Sequence, residues 1–278
     1  MATKKSAITA KKSTRKSAPA AKKTTTKVTT IKAAPAAAQR PAVDRFSFSR
    51  SPLLAASIAE FIGVFLLASV VILARNEPLY LLFASIAIVL SVGAVSGSHL
   101  NPALTVGAWA TRRIKSARAV SYIVAQVLGA LLALVVLNGF ISAAPAMPQE
   151  AAQFGQQAPE LFKAAEVVKG KEWVILAAEL LGTTILAFVI AGSMRVVRDK
   201  LTSAFTYGGG LFIALLITGL AAGYVGGTAV LNPAVATSVQ AIKWELWPLM
   251  IYVLTPLVGG VLGFALSDLI QSESEVEV

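Results

Sequence analysis

Few side chains in this sequence are placed to do chemistry, and those few come in pairs. Glu60 and Glu179 are carboxylates inside long apolar stretches, in the related runs Ala59-Glu60-Phe61-Ile62-Gly63 and Ala178-Glu179-Leu180-Leu181-Gly182. A carboxylate at membrane depth is costly unless it finds partners. Two roles fit the pair: a proton relay, as in a proton-coupled carrier, or acceptors for backbone N–H groups left over by non-helical chain. Each half of the sequence has one such Glu, and no Lys or Arg lies within the apolar stretches to pair with it. His99 is the only histidine, suited either to a pH switch or to a structural, pore-lining place. There is no cysteine, hence no disulfide and no thiol chemistry. The sequence shows no nucleophile–base pair and no cluster with metal-ligand spacing, which argues against an enzyme and leaves no cofactor or metal to place.

The second pair is Asn101-Pro102-Ala103 and Asn232-Pro233-Ala234. Asn is a favoured N-cap, because its side-chain oxygen accepts a first-turn N–H. Pro is favoured at the first helical position, where its missing N–H costs nothing. Each motif therefore predicts a helix start, giving short helices over 101–110 and 232–241. Ten residues at about 1.5 Å each reach roughly 15 Å, half of a bilayer core of about 30 Å. Two such half-helices meeting N-terminus to N-terminus span the membrane together. Their positive dipole ends and the two Asn amides then face one central point. The cap uses the Asn oxygen and leaves the amide N–H groups to donate to a passing oxygen.

The elements that must hold these groups are apolar. The 278 residues are 56% hydrophobic, with a mean hydropathy of +0.71, far too apolar for an ordinary soluble domain. Six spans are predicted: 53–74, 79–95, 119–141, 173–194, 204–223 and 246–270. The half-helices follow the second and fifth. The net charge of +11 belongs to one segment: residues 1–50 hold 13 Lys/Arg against one acid, Asp44. That segment has almost no large apolar residues and reads as a disordered basic tail. Anionic lipid is its expected partner, with nucleic acid the alternative. The channel domain is expected over 51–271, in halves of about 52–141 and 173–270 joined by the loop 142–172, with a short acidic tail at 272–278.

The basic tail, the cluster Arg112, Arg113, Lys115 and Arg118, and the cluster Arg195, Arg198 and Lys200 are separated by even numbers of spans, so all lie on one side. By the positive-inside rule that side is the cytoplasm. Both termini are then cytoplasmic in an integral protein of the cell membrane, and the 142–172 loop is outside. Three spans per half is an odd number, so the second half is inserted upside down. An inverted repeat with broken helices is a channel or transporter architecture with its site near the midplane.

The run Ser96-Gly97-Ser98-His99-Leu100-Asn101-Pro102-Ala103-Leu104-Thr105 resembles the first signature loop of the aquaporin and aquaglyceroporin family, the major intrinsic proteins. The paired Asn-Pro-Ala motifs, the Ala-Glu starts and the Gly-rich third and sixth spans agree over about residues 52–270. The resemblance implies an all-α membrane protein of six transmembrane helices plus two re-entrant half-helices in an inverted repeat. It implies a pore in each subunit of a homotetramer, passing water or small neutral solutes. It also implies that Glu60 and Glu179 are scaffolding carboxylates and that His99 lies on the cytoplasmic side of Asn101. Gly63, Gly129, Gly182, Gly259 and Gly263 most simply allow close helix packing.

One position departs from the family. In most members Arg follows the second Asn-Pro-Ala and belongs to the outer constriction; here it is Val235. The other members of that selectivity filter are expected at Leu81, at Gly219 or Leu220, and at Ala229. All are apolar or lack a side chain, so a constriction wider and less polar than one with Arg is expected. The alternatives to a passive channel are an ion- or proton-coupled carrier using Glu60 and Glu179, and a non-conducting membrane scaffold.

Overall fold

Proline and glycine punctuate the chain. In the computed structural model, which describes residues 51–145, 160–196 and 199–274, four helices start with Pro in the first turn: α1 (Pro52–Leu73), α2 (Pro78–Ser96), α3 (Pro102–Ala110) and α7 (Pro233–Ser238). α2 ends on Gly97 in the left-handed region, φ 87°, where a residue without Cβ is not strained. The rest are α4 (Ser116–Ser142), α5 (Glu172–Val196), α6 (Lys200–Gly223), α8 (Leu246–Leu249) and α9 (Thr255–Ser274). A π-helical turn, Met250–Leu254, joins α8 to α9. These residues belong to one compact unit, Phe48–Val278. The expected basic tail, residues 146–159 of the central loop and residues 275–278 of the acidic C-terminal end lie outside the described residues.

Among the described residues there is no strand, and six helices are long and apolar enough to cross a membrane: α1, α2, α4, α5, α6, and the composite Leu246–Ile270. α1 shows how such a helix is used. Leu54, Ile58, Ile62 and Leu66, four residues apart, are exposed, while Glu60, Val64, Leu67 and Val71 are buried. The exposed stripe suits lipid and the buried one packs inward.

The contacts have a two-fold pattern. α1 packs on α4 as α5 packs on α9; α1 meets α2 as α5 meets α6; α3 lies against α9 as α7 lies against α4. α2 and α6 meet across the centre. Each half-helix is thus held by the last span of the other half. Small residues let backbones approach. A Cβ on Gly263 would sit 2.5 Å from the Thr184 carbonyl oxygen, one on Gly259 2.9 Å from that of Leu180, and one on Gly129 would strike the Phe61 carbonyl. Where α3 crosses α9, a Cβ on Gly107 would lie 2.6 Å from the Gly260 carbonyl oxygen, and one on Gly260 would strike that of Ala103.

The π turn has a local cause. Pro256 has no N–H to offer the Tyr252 carbonyl, and its ring would crowd that carbonyl in a regular helix. The chain takes up the misfit with a wider turn, in which Thr255 N–H bonds to the Met250 carbonyl five residues back. Tyr252 is thereby buried with its hydroxyl donating to the Thr228 carbonyl (3.0 Å). Its counterpart in the first half, Tyr122, donates to the Ser96 carbonyl (2.7 Å).

Candidate functional site: a neck between two half-helices

Asn101 and Asn232 cap α3 and α7. The Asn101 Oδ1 accepts the Ala103 N–H at 2.8 Å; the Asn232 Oδ1 accepts those of Ala234 at 3.0 Å and Val235 at 3.3 Å. Pro102, Ala103, Pro233 and Ala234 are all buried behind them. Each amide also reaches across to the other half. Asn101 Nδ2 donates to the Leu231 carbonyl and Asn232 Nδ2 to the Leu100 carbonyl, both at 2.8 Å. The sequence left both N–H groups of each amide to a solute. In the structure one of the two is committed to the opposite loop, and one remains.

Leu100 and Leu231 make this brace possible. Both are left-handed, with φ of 52° and 60°, an uncommon conformation for a bulky residue. Their N–H groups point the opposite way, onto the two carboxylates. Glu179 accepts Val230 N–H on Oε1 (2.6 Å) and Leu231 N–H on Oε2 (2.9 Å). Glu60 accepts His99 N–H on Oε1 (2.9 Å) and Leu100 N–H on Oε2 (2.6 Å). Each re-entrant loop is therefore held by the Glu of its own half and the Asn of the other. Both carboxylates are fully buried.

The halves differ around this core. Gln126 of α4 adds a third donor to Glu60 (Nε2 to Oε2, 2.8 Å) and another bond to the Thr105 hydroxyl (3.0 Å). The aligned position in α9 is Pro256, which has nothing to donate. His99 joins the same network: its Nδ1 is 3.2 Å from the Thr105 hydroxyl, and its ring stands edge-on to Tyr122 at 5.3 Å.

The two Asn side chains face a narrow cavity of about 10 Å³, which they share with Leu81, Leu186, Leu215, Val235, Tyr207 and Asn76. Room on that scale holds about one water. At one mouth a vestibule of about 320 Å³ is lined by Arg75, Asn76, Phe162, Leu215, Gly219, Leu220 and Ala229. A separate cavity of about 470 Å³, beside the start of the first re-entrant loop, is lined by His99, Arg113 and Arg118 among others. There Arg113 donates to the Ala191 carbonyl (2.8 Å), pairs with Asp268 and covers the Phe264 ring. It ties the chain after α3 to α5 and α9.

The expected filter residues divide between two adjoining cavities. Leu81 and Val235 line the neck; Gly219, Leu220 and Ala229 line the vestibule above it. α6 instead presents Leu215 to the neck, one helical turn below Gly219. Val235 stands in the narrow neck, and Gly219 and Ala229 in the wider vestibule. Sequence reasoning also missed Leu186 and Asn76. A buried Leu carries no signal of its own. Asn76 follows Arg75 in a short loop whose sequence gives no hint that it reaches the neck.

Comparison with known proteins follows the same lines. The family model described as "Major intrinsic protein" matches residues 47–266. Aquaporin Z of Photorhabdus laumondii is 28% identical over 240 residues, covering 78% of this chain and 97% of that protein. The glycerol uptake facilitator protein-like 6 of Lactiplantibacillus plantarum is 29% identical, covering 78% and 98%. The X-ray structure of the aquaglyceroporin from Plasmodium falciparum superposes with a TM-score of 0.56 at 19% identity, over 78% of this chain and 96% of that one.

Proposed function

The chain belongs to the major intrinsic protein family, and from that premise we propose that it passes small uncharged solutes of glycerol or urea size, along with water, through a neck that holds no arginine. The protein is an integral membrane protein and a passive channel, not an enzyme. The finer reading rests on one observation: Val235, Leu81, Leu186 and Leu215 give the neck apolar walls, with the Asn101 and Asn232 amides as its polar stations. A solute with a carbon frame and hydroxyl or amide groups matches the chemistry of such walls on both counts, and passes by parting the side chains of a neck that at rest has room for about one water. It trades hydration for Asn N–H groups and carbonyls. The relatives include proteins named for water and for glycerol uptake, in keeping with this range.

In this reading Asn101, Pro102, Ala103, Asn232, Pro233 and Ala234 build the pore centre, and His99 borders it on the cytoplasmic side. Glu60 and Glu179 are scaffolds: each has both oxygens occupied by loop N–H groups and none of its surface exposed, which disfavours a proton-coupled carrier. Stopped-flow swelling of proteoliposomes tests the proposal. Water, glycerol and urea are each expected to enter faster than into empty liposomes, without saturation and without response to a proton gradient. Exclusion of both glycerol and urea, or saturable pH-driven flux, would refute it.

The same proposal covers the setting: residues 51–271 as the channel domain, a homotetramer, and a basic tail of residues 1–50 against anionic lipid. The basic clusters at 112–118 and 195–200 support cytoplasmic termini, so the mouth at Arg75 is the outer one. Tags at residues 20 and 155 are expected to be accessible from opposite faces of the membrane. Labelling of both from one face would overturn the topology.

A further inference from the structure

Asn76 is a polar side chain at the junction of outer vestibule and neck, lining both cavities. It lies in the turn between α1 and α2, and two consecutive residues there are left-handed: Arg75 at φ 53° and Asn76 at φ 59°. Such strain persists only where surrounding structure holds it. Two bonds do so. Asn76 N–H donates to the Val71 carbonyl (2.8 Å), and Asn76 Nδ2 reaches 153 residues along the chain to the Ala229 carbonyl (2.8 Å). A turn that needed only this backbone would be served without strain by Gly. Asn tolerates the same backbone and adds a side chain to it. One amide N–H is spent on Ala229; its second N–H and its Oδ1 have no partner among the described residues. Asn76 is half-buried, so both remain open to the cavity it lines.

We propose that Asn76 is a specificity-determining residue of the outer neck, offering a donor and an acceptor together to small neutral polyol- or urea-class solutes as they leave the vestibule. The chemistry is that of an uncharged amide. It can meet a hydroxyl or a urea group both ways, where a guanidinium in the same place can only donate and carries a permanent charge. The charge stands one residue outward, on Arg75. Its guanidinium lies 5.7 Å from the centre of the Phe162 ring in the wide vestibule, not in the neck. A solute would thus pass a vestibule that carries Arg75 and Glu77, the Asn76 amide, then the Asn101 and Asn232 amides, between walls of Leu and Val.

This rests on the channel reading, and the test keeps the two apart. The full chain and its variants are reconstituted in liposomes, with water, glycerol and urea entry measured for each. Asn76→Gly suits the left-handed turn and removes the amide together with its tether to the Ala229 carbonyl. It is expected to lower glycerol and urea entry about tenfold relative to water, the effect of one lost hydrogen bond. Asn76→Cys supplies the single thiol of a chain that has none. Methyl methanethiosulfonate is expected to block solute entry in that variant, reversibly with reductant, and to leave the wild type untouched. If wild-type liposomes behave as empty ones, the channel reading itself has failed. If the wild type conducts, a wild-type solute-to-water ratio in Asn76→Gly, or unchanged flux in the modified Cys variant, overturns the role of Asn76.

Discussion

Exchanging Glu179 for Gln is expected to leave little folded channel. Both carboxylate oxygens are in use, by Val230 N–H at 2.6 Å and Leu231 N–H at 2.9 Å, and the side chain is fully buried. Gln has one oxygen. Whichever way its amide turns, an NH2 faces a backbone N–H. Two charge-assisted bonds become one neutral bond and two buried donors, the backbone N–H and the Gln NH2, facing each other without an acceptor, a loss of about 3–5 kcal/mol. The damage does not stay local. Leu231 would lose the anchor for its left-handed backbone, and its carbonyl is the acceptor for Asn101 Nδ2. Glu60→Gln is expected to be milder. There Gln126 already touches the carboxylate, and by turning its own amide it can accept from the new NH2. The measurement is the yield of monodisperse protein and its thermal midpoint in detergent, with flux counted per folded channel. The expected order of stability is wild type, Glu60→Gln, Glu179→Gln, with flux per channel retained. A Glu179→Gln protein as stable as wild type contradicts the scaffold role. A stable variant that conducts nothing, beside a wild type driven by a pH gradient, would establish a carrier.

Much of this was legible because it depends on local chemistry repeated twice. Asn-Pro-Ala starts a helix wherever it occurs, and both starts fall where the sequence puts them. Six apolar runs of bilayer length are hard to read any other way. The carboxylates were legible as acceptors because each half has one Glu and one stretch of non-helical chain. The end of α7 was not legible. It stops at Ser238, short of the expected 241. The Thr237 and Ser238 hydroxyls bond back to the Ala234 and Val235 carbonyls (2.7 and 2.8 Å), and Gln240 is left-handed at φ 58°. Such local side-chain bonds compete with the helical ladder. The brace from each Asn amide to the opposite loop was hidden too. It needs Leu100 and Leu231 in a conformation that no propensity assigns to Leu. The neck was the least legible part. Which residue of α6 lies level with it depends on the depth of the helix as well as its rotation: Leu215 and Gly219, four residues apart, share a face and differ by one turn along the axis. Asn76 comes to the neck through a tertiary bond across 153 residues, for which a sequence pattern has no counterpart.

Placing Arg at 235 is expected to close the neck to glycerol and urea while sparing part of the water flux. Val235 is 2% exposed, in the first turn of α7, against a cavity of about 10 Å³. A guanidinium on its longer stem does not fit beside Leu81, Leu186 and Leu215. Its way out is toward the vestibule, past Ala229 and Gly219. There it competes with Asn76 for the Ala229 carbonyl and fills the path a polyol would take. Two effects act on solutes, and they have the same sign: lost volume, and an amide turned aside. Entry of glycerol and urea should fall at least tenfold. Water is smaller and can use the N–H donors of Arg, so its flux should fall less. Cations feel a third effect. A unit charge at about 4 Å in an effective dielectric near 20 is worth roughly 4 kcal/mol against a passing cation, so any methylammonium leak of the wild type should vanish. Val235→Ala separates volume from charge. It removes two methyl groups from the neck wall and adds no charge, so glycerol and urea entry should rise while cation exclusion stays as in the wild type. The pair decides the matter. Solute flux unchanged by Arg, or lowered by Ala in folded protein, would mean that the narrow point lies elsewhere along the path, and that the residue after the second Asn-Pro-Ala does not set passage in this channel.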